Sequence, residues 1–186
     1  MSRIVLARHG QTAWNALGRL QGHTDIPLDE TGRDQARALA AKLGKAGIAS
    51  VWASDLGRAQ ETAAIAAEML GLAAPRVDPE LRERKFGVFE GLTRDQIAVA
   101  HPEAWRAWQQ QTAAPPGGEP REEAIARLGR ALARIAREPG PALVVSHGGV
   151  IRLWLTDLRG EQAPMIGNGA VFHLAHDGAR FSELRG

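Results

Sequence analysis

Short apolar runs alternate with longer amphipathic stretches along most of this chain. Residues 3–7 (RIVLA) and 142–145 (ALVV) are almost wholly apolar, and each is followed within a few residues by glycine. Strands that are buried on both faces of a parallel sheet have this continuous apolar character. Residues 50–53 (SVWA) form a third short candidate strand. We therefore predict a central sheet that is mostly parallel.

Helical spacing of apolar residues appears between these strands. The segment 31–47 opens with a possible capping box of Thr31 and Asp34, and its apolar residues then recur three and four positions apart. Residues 54–70 and 122–135 repeat apolar positions in the same way. Strand, helix, strand and helix in this order indicate an α/β fold.

The middle of the chain is less regular. Residues 81–91 are rich in charge and glycine, and we predict an irregular active-site segment there. Thr93 and Gln96 offer a capping box for a short helix. Trp105 and Trp108 lie three residues apart on a further helical stretch, and they belong either to the core or to the wall of a substrate pocket.

The last part of the chain carries a hairpin pattern. Residues 170–175 and 180–184 alternate apolar and polar side chains, and Asp177 and Gly178 separate them. A short Asp-Gly connection between alternating segments is typical of a β-hairpin. We predict that this hairpin lies at an edge of the sheet.

Composition and charge narrow the function classes. The 186 residues are 44% hydrophobic and 24% charged, which suits one domain over residues 1–186. There is no cysteine, which excludes disulfides, thiolate metal sites and a cysteine nucleophile. The net charge of +2 is spread along the chain, so nucleic-acid binding is not indicated. Because no apolar run is long enough for a secretory or membrane segment, we expect a cytoplasmic protein without a membrane partner.

Polar side chains follow three of the predicted strands. Arg8 and His9 come after the first strand, Arg58 lies on the first turn of the helix after the second, and His147 follows the late strand. In parallel sheets, ligands bind outside the carboxyl ends of the strands. Two imidazoles, two guanidiniums and nearby glycine N–H groups suit a dianionic phosphoryl group, and such a site needs no metal.

Four blocks of sequence, in order, resemble the histidine phosphatase superfamily, which includes cofactor-dependent phosphoglycerate mutases. The blocks are residues 8–32, with gaps, and residues 54–59, 81–83 and 146–152. A lone Arg-His-Gly triplet would be weak, whereas four ordered blocks that span nearly the whole chain are specific. The resemblance implies a three-layer α/β/α fold with a mostly parallel central sheet, and it implies no cofactor.

Carried over residue by residue, the resemblance implies roles for the strand-end groups. His9 would be the nucleophile that forms a phosphohistidine, and Glu83 the general acid that later activates water. Arg8, Arg58 and a cationic His147 would hold the phosphoryl oxygens. Further contacts to the bound group are expected from Asn15, Gln21, Gly22 and Gly148. We expect the guanidiniums to lower the pKa of His9 and keep it unprotonated.

Simpler interpretations remain open for several of these residues. Glu80 and Glu90 lie in the same charged segment as the candidate acid and could replace it or be surface residues. Arg58 could pair with Asp55 or Glu61 on its own helix. The remaining histidines are interpreted as solvated or structural, and they are His23, His101, His173 and His176.

Several departures from the patterns of the superfamily bear on the reaction. The mutases of this superfamily carry an extra segment after the glutamate block and a C-terminal tail that exclude water, and we expect neither here. Gly149 stands where mutases usually have Asn, and residues 146–152 resemble the broad-specificity and α-ribazole phosphatase branch. In the loop 115–120, Pro120 replaces a serine that the family often has, which leaves that loop's role open.

We therefore expect a hydrolase of small phosphorylated metabolites, such as α-ribazole phosphate or sugar phosphates. The alternative is a 2,3-bisphosphoglycerate-dependent phosphoglycerate mutase. A phosphoryl-binding module without catalysis is disfavoured, since every matched catalytic position is filled. The sequence leaves the physiological substrate open, as it does the choice between a monomer and a homodimer.

Overall fold

The computed structural model describes residues 1–184 and has an α/β architecture. The strands are β1 (Ser2–Arg8), β2 (Ser50–Ala53), β3 (Arg76–Val77), β4 (Ala142–Ser146), β5 (Val171–His176) and β6 (Phe181–Glu183). The α-helices are α1 (Ala13–Ala16), α2 (Glu30–Leu43), α3 (Gly57–Met69), α4 (Arg94–Ala100), α5 (Pro102–Gln109), α6 (Arg121–Ile135) and α7 (Gly148–Arg159). Two single 3₁₀ turns, Pro79–Leu81 and Gly87–Phe89, lie between β3 and α4.

The strands form one sheet in the order β3-β2-β4-β1-β5-β6. The first four strands are parallel, β5 is antiparallel to β1, and β6 is antiparallel to β5. The predicted strands and the predicted edge hairpin are thus confirmed. Arg8 pairs in register with Ser146, so β1 and β4 end side by side.

Helices cover both faces of the sheet. Ile4 and Leu6 on β1 face a core built with α6 and α7, whereas Val5 and Ala7 face a core built with α2 and α3. All four side chains are at most 4% exposed. Burial on both faces explains why the β1 sequence is continuously apolar, and the three-layer α/β/α prediction is confirmed.

A third, smaller cluster lies outside the two main cores. Phe86, Phe89 and Ile97 are buried together, and Trp105 and Trp108 pack against them. The rings of Phe89 and Trp108 meet edge-on with centroids 6.0 Å apart. The two phenylalanines are therefore core residues. The two tryptophans are half-buried, and they also line a cavity.

The start of α2 differs from the prediction. The helix begins at Glu30, and Asp29 is its N-cap, with Oδ1 accepting a hydrogen bond of 2.8 Å from the Gly32 N–H. The capping box predicted at Thr31 is therefore wrong. Asp29 prevails because its other oxygen also accepts from the Gln11 side chain at 3.1 Å, which ties the helix to the loop after β1. The capping box of Thr93 and Gln96 is confirmed.

Within residues 1–184, no helix is both long enough and apolar enough to span a membrane.

Candidate active site

The two histidines of the site follow neighbouring parallel strands. The N–H of His9 donates to the Ser146 carbonyl at 3.0 Å, which extends the pairing of β1 and β4 by one residue. The rings of His9 and His147 then lie with their centroids 5.0 Å apart. His9 is 3% exposed and His147 is fully buried. Backbone pairing alone thus brings together two residues that are far apart in the sequence.

The ring of His9 is held in one tautomer. Its Nδ1 lies 2.6 Å from the Gly10 carbonyl oxygen, which can only accept a hydrogen bond. Nδ1 therefore carries the proton, and Nε2 has a free lone pair. Burial lowers the pKa of His9 well below its ordinary value, and the charges of Arg58 and Arg8 lower it further. The predicted direction is confirmed, although burial contributes more than the guanidiniums.

The surroundings of His147 disfavour a positive charge in the ligand-free protein. Burial lowers the pKa of His147 well below its ordinary value, and the positive charge of Arg58 and the neighbouring His9 lower it further. The ligand-free protein therefore favours a neutral His147 ring, while the cationic role expected with phosphate bound stays a prediction. Both of its ring nitrogens are without a hydrogen-bond partner among the described residues.

Arg58 is a fully buried guanidinium at the start of α3. It donates to the carbonyls of Gly22 at 2.7 Å and Thr24 at 3.1 Å and pairs with Asp25 at 3.2 Å. The pairing with Asp55 or Glu61 considered from sequence is wrong, because those carboxylates bind other arginines. The Gly22 carbonyl thus anchors Arg58, while the Nε of Arg58 has no partner in the described chain.

Arg8 approaches the site along the start of α7. One terminal nitrogen donates to the Ile166 carbonyl at 2.6 Å, which fixes the guanidinium. A Cβ added to Gly148 would lie 3.0 Å from Nε of Arg8, so glycine makes room for this side chain. Burial lowers the pKa of Arg8, and the negative charge of Glu83 opposes that shift.

Glu83 is bound to the first turn of α7. Its Oε1 accepts from the N–H groups of Arg84 and Val150, each at 2.7 Å, and its Oε2 accepts from the Gly149 N–H at 2.8 Å. Helix N-termini stabilise carboxylates in this way. The side chain is 6% exposed. A Cβ on Gly149 would lie 2.6 Å from Oε1, so the carboxylate occupies space that only glycine leaves free.

The two other candidate acids lie elsewhere. Glu80 forms ion pairs with Arg130 and Arg134 on the outer side of α6. Glu90 accepts hydrogen bonds from Thr24 and from the His23 N–H. Neither carboxylate reaches the start of α7, so the geometry singles out Glu83.

The segment that carries Glu83 is clamped by a residue that sequence reasoning missed. Arg127 on α6 donates to the carbonyls of Glu80, Arg82 and Glu83 at 2.9, 2.6 and 3.0 Å. It also forms two hydrogen bonds, of 2.6 and 2.8 Å, with the Glu119 carboxylate. In the sequence, Arg127 is one of many polar residues on an amphipathic helix, so no signal distinguished it.

The loop 115–120 supports the same segment. The Glu119 carbonyl accepts from Nε of Arg84 at 2.8 Å, and the Glu119 N–H donates to the Lys85 carbonyl at 2.9 Å. Pro120 lies at the N-cap of α6 and does not interrupt these contacts. This loop therefore positions Glu83 indirectly, through Arg84 and Arg127.

Hydrogen-bonded amides contact the loop that carries His9. Gln21 accepts from the Thr12 hydroxyl at 2.7 Å and from the Asn15 amide at 3.4 Å. Asn168, which sequence reasoning missed, donates to the His9 carbonyl at 3.2 Å and to Asn15 at 3.1 Å. Asn168 lies in a Gly-Asn-Gly turn just before β5, which pairs antiparallel with β1. This turn motif was the signal in the sequence that could have indicated Asn168.

Several of the buried polar atoms without partners belong to residues of the candidate site. Besides both nitrogens of His147, they include Nε of Arg8, Nε of Arg58 and Nε2 of Gln21, none of which has a partner within residues 1–184. Leaving such a group unpaired costs about 1–3 kcal/mol. A bound anion with several oxygen acceptors would satisfy the arginine and glutamine donors together with the one N–H of a neutral His147. The site is therefore an anion site built around a buried imidazole whose Nε2 lone pair is free, a combination that suits phosphoryl transfer.

Comparison with known proteins agrees with this class. Residues 4–185 match the model of the histidine phosphatase superfamily (branch 1). The glucosyl-3-phosphoglycerate phosphatase of Mycobacterium tuberculosis is 42% identical over 160 residues, which are 80% of this chain and 71% of that protein. Phosphoglycerate mutase-like protein 4 of Arabidopsis thaliana is 41% identical over 157 residues, 81% of this chain and 68% of that protein.

Comparison with solved structures supports the same superfamily. A putative alpha-ribazole-5'-P phosphatase from Escherichia coli superposes with a TM-score of 0.85 at 30% identity, covering 98% of this chain and 94% of that one. The chain belongs to the histidine phosphatase superfamily. It is a phosphomonoester hydrolase of the phosphohistidine type, and the family and enzyme class predicted from the sequence are confirmed.

Proposed function

We propose that this chain hydrolyses phosphate monoesters of small metabolites, with His9 as the residue that becomes phosphorylated. One observation carries the assignment. The free Nε2 of His9 belongs to a buried ring that is fixed through Nδ1, and Arg8, Arg58, Gln21 and His147 each hold a buried polar atom that has no partner within residues 1–184. The N–H donors among these atoms match the oxygens of a phosphoryl group, which Nε2 can then attack.

In the first step, the lone pair of His9 Nε2 forms a bond to phosphorus while the bond to the leaving oxygen breaks. The proton on Nδ1 stays on the ring, and the Gly10 carbonyl stabilises the positive charge that develops there. A protonated Glu83 gives its proton to the leaving oxygen, so the alcohol departs neutral.

In the second step, the Glu83 carboxylate takes a proton from water as the water oxygen attacks phosphorus. The N–P bond breaks, phosphate leaves, and His9 and Glu83 return to their starting protonation states. The guanidiniums of Arg8 and Arg58 hold the phosphoryl oxygens in both steps. Asn15 and the backbone around Gly22 and Gly148 complete the cradle.

The finer assignment concerns the alcohol part of the substrate. The names of similar proteins include glucosyl-3-phosphoglycerate and alpha-ribazole-5'-P phosphatases. We propose phosphate esters of sugars or sugar-like metabolites as substrates of this chain. Phosphate release from a panel of such esters would rank them.

Trapping the intermediate tests the assignment of His9. Rapid acid-free quenching with ³²P-labelled substrate should leave label on the wild-type chain, stable to base and labile to acid as expected of phosphohistidine. The His9→Ala variant should carry no label, while His176→Ala, a control at the far end of the sheet, should be labelled normally. Equal labelling of His9→Ala would refute the assignment.

A second experiment separates hydrolysis from the mutase reaction. The chain is given 3-phosphoglycerate with a trace of 2,3-bisphosphoglycerate, and inorganic phosphate and 2-phosphoglycerate are followed together. We expect phosphate to be released with little isomerisation. Efficient formation of 2-phosphoglycerate without phosphate release would make the chain a mutase.

A further inference from the structure

The short loop of residues 22–25 contacts Arg58 but has no backbone pairing of its own. Within residues 1–184, none of its N–H or carbonyl groups forms a hydrogen bond with another backbone group. Its carbonyls nevertheless hold Arg58, since Gly22 accepts from the guanidinium at 2.7 Å and Thr24 at 3.1 Å. Side chains must therefore fix the shape of this loop, which we call the Gly22 loop.

Glu90 binds the N–H groups of the Gly22 loop. Its Oε1 accepts from the His23 N–H at 3.1 Å, and its Oε2 accepts from the Thr24 N–H at 2.9 Å and from the Thr24 hydroxyl at 2.6 Å. Oε1 also accepts from the Phe86 N–H at 3.1 Å, in the segment that carries Glu83. One carboxylate thus satisfies four donors from two separate parts of the chain.

The chain leaves room for this carboxylate and holds its backbone in place. A Cβ added to Gly22 would lie 2.2 Å from Oε1 of Glu90, so any other residue there would push the carboxylate away. On the far side, the Gly91 N–H donates to the Leu20 carbonyl and the Leu20 N–H donates to the Leu92 carbonyl, each at 2.9 Å. Glu90 is therefore a fixed support for the loop.

The charge of Glu90 follows from the same contacts. Burial raises the pKa of Glu90, but hydrogen bonds from the Thr24 hydroxyl and from three backbone N–H groups lower it by more, so the pKa lies below its ordinary value. The carboxyl is therefore ionised near neutral pH. Burial lowers the pKa of Arg58, and Glu90 is one of three carboxylates whose charges oppose that shift.

The Gly22 loop thus lies between a carboxylate that binds its N–H groups and a guanidinium that binds its carbonyls. The terminal nitrogens of Arg58 donate to the loop, including the side chain of Asp25, while its Nε is buried and has no partner in the described chain. Because the loop fixes the plane of the guanidinium, it also fixes the direction of the free Nε–H. A shift of the loop would redirect this donor.

We propose that Glu90 is a positioning residue for phosphoryl transfer: its carboxylate holds the Gly22 loop, and the loop keeps the guanidinium of Arg58 aligned with the phosphoryl oxygens. The inference rests on the proposed function, in which Arg58 binds the transferred group, and it adds a residue that acts through Arg58 rather than on the substrate. An amide cannot replace this carboxylate, because glutamine has one acceptor oxygen and its NH₂ group would face N–H donors.

Binding of inorganic phosphate tests the proposal without depending on turnover. Isothermal titration calorimetry compares the wild-type chain with Glu90→Gln, and we expect the affinity to fall by about tenfold, the effect of weakening one charge-assisted hydrogen bond to the anion. Glu61→Gln, on the same helix as Arg58 but paired with Arg33 at the surface, is the matched control and should bind phosphate normally. Circular dichroism verifies that each variant is folded.

A double-mutant cycle distinguishes positioning of Arg58 from a general loss of structure. Phosphate affinity and kcat/KM for p-nitrophenyl phosphate are measured for Arg58→Met with and without Glu90→Gln. If Glu90 acts through Arg58, the second substitution should change neither quantity by more than about twofold in the Arg58→Met chain, because residues that act as a unit give non-additive effects.

Thr24→Val provides a second and milder variant for the same cycle. It removes only the hydroxyl that donates to Oε2 of Glu90, and Thr24 is exposed, so the fold should tolerate the change. We expect phosphate affinity to fall by about threefold, the effect of one ordinary hydrogen bond, and this loss also should disappear in the Arg58→Met chain.

The possible outcomes separate this inference from the proposed function. Unchanged phosphate affinity in Glu90→Gln, or equal losses with and without Arg58, would overturn the inference alone. A loss of kcat/KM that is much larger for an alkyl phosphate than for p-nitrophenyl phosphate would also overturn it, since the effect would then fall on Glu83, whose carbonyl lies 2.9 Å from Nε2 of His23. If the wild-type chain binds no phosphate and no phosphohistidine can be trapped on it, the proposed function itself fails.

Discussion

The active site has two halves that are held in different ways. In the strand-end half, His9 and His147 directly follow β1 and β4, and the sheet's own backbone pairing sets their separation. In the acid half, Glu83 lies in a segment with only short 3₁₀ turns, and side chains from elsewhere fix it. Arg127 and Glu119 supply most of those contacts.

The comparison indicates that the proposed nucleophile, His9, and the proposed acid, Glu83, are held in position by different kinds of contact. Strand ends cannot move without breaking several ladder hydrogen bonds in a core that is buried on both faces. The acid segment can shift when a few side-chain contacts are lost, because no strand ladder holds its backbone. Changes in the first half should affect every substrate, whereas changes in the second should affect substrates that need a strong acid.

The largest effect is expected at Arg58 in the strand-end half. Arg58→Met removes a buried guanidinium from the phosphate and should lower kcat/KM by about 10²–10³-fold, as is typical for one preorganised charge-stabilising donor. The loss should be similar for p-nitrophenyl phosphate and for an alkyl phosphate, because both present the same phosphoryl group. Steady-state kinetics with both esters measures it, and Arg33→Met, on the surface beside Glu61, is the control. A loss confined to one ester would contradict the division into halves.

The next largest effect is expected from loosening the acid half. Arg127→Leu removes three carbonyl contacts from the Glu83 segment and should lower kcat by about 10–100-fold for an alkyl phosphate, because a small displacement of a catalytic group has such effects. Hydrolysis of p-nitrophenyl phosphate should fall much less, since its leaving group needs little protonation. Glu83→Gln should give the same dependence on the leaving group, and Glu80→Gln should not. Equal losses for both esters would show that Arg127 acts on more than the acid.

A smaller effect is expected where the two halves meet. Gly149→Ala places a Cβ within 2.6 Å of Oε1 of Glu83, and the flexible carboxylate can move away. We expect about a tenfold loss of kcat for alkyl phosphates, in line with partial loss of general acid catalysis, and little change in thermal stability. Gly44→Ala, where an added Cβ makes only an ordinary contact at 3.6 Å, is the matched control. A large loss of stability would mean that the backbone of α7, rather than the Glu83 side chain, gives way.

The last effect is on stability rather than on rate, and it concerns pH and the strand-end histidines. Burial first, and Arg58 next, lower the pKa values of His9 and His147 in the folded protein, so both rings stay neutral there. In the unfolded chain they bind protons below about pH 6.5. The free energy of unfolding should therefore fall as the pH drops below that value, by about 1.4 kcal/mol per pH unit for each histidine.

Urea unfolding at several pH values between 5 and 8 measures this dependence. His9→Asn should reduce the slope of the unfolding free energy against pH by the contribution of one proton, about 1.4 kcal/mol per pH unit, between the unfolded and folded pKa values. His173→Asn, an exposed position on β5, should leave the slope unchanged. An unchanged slope in His9→Asn would mean that His9 titrates normally in the folded protein.

Much of the fold was predictable because its signals are local. The continuous apolar runs of β1 and β4, the period of α6 and the Asp-Gly hairpin each indicate an element without reference to distant residues. The start of α2 was placed wrongly because Asp29, and not Thr31, has a second partner in the loop after β1. Local capping patterns cannot include such a partner.

The candidate site, like the fold, was partly predictable from the sequence. The positions of His9, Arg58 and His147 could be expected from the sequence, because the carboxyl ends of parallel strands meet at one edge of a sheet. The choice of Glu83 over Glu80 and Glu90 needed the structure, since all three lie within one charged segment and differ only in what surrounds them.

The sequence by itself determined the order of elements, the family and the chemical types of the strand-end residues, because these depend on local patterns and on motifs. Only the tertiary structure decided the tautomer of His9, the neutral state of His147 in the ligand-free protein and the contacts of Arg127 with the Glu83 segment. Each of these depends on burial or on contacts between residues far apart in the chain, and neither quantity is written in a local pattern.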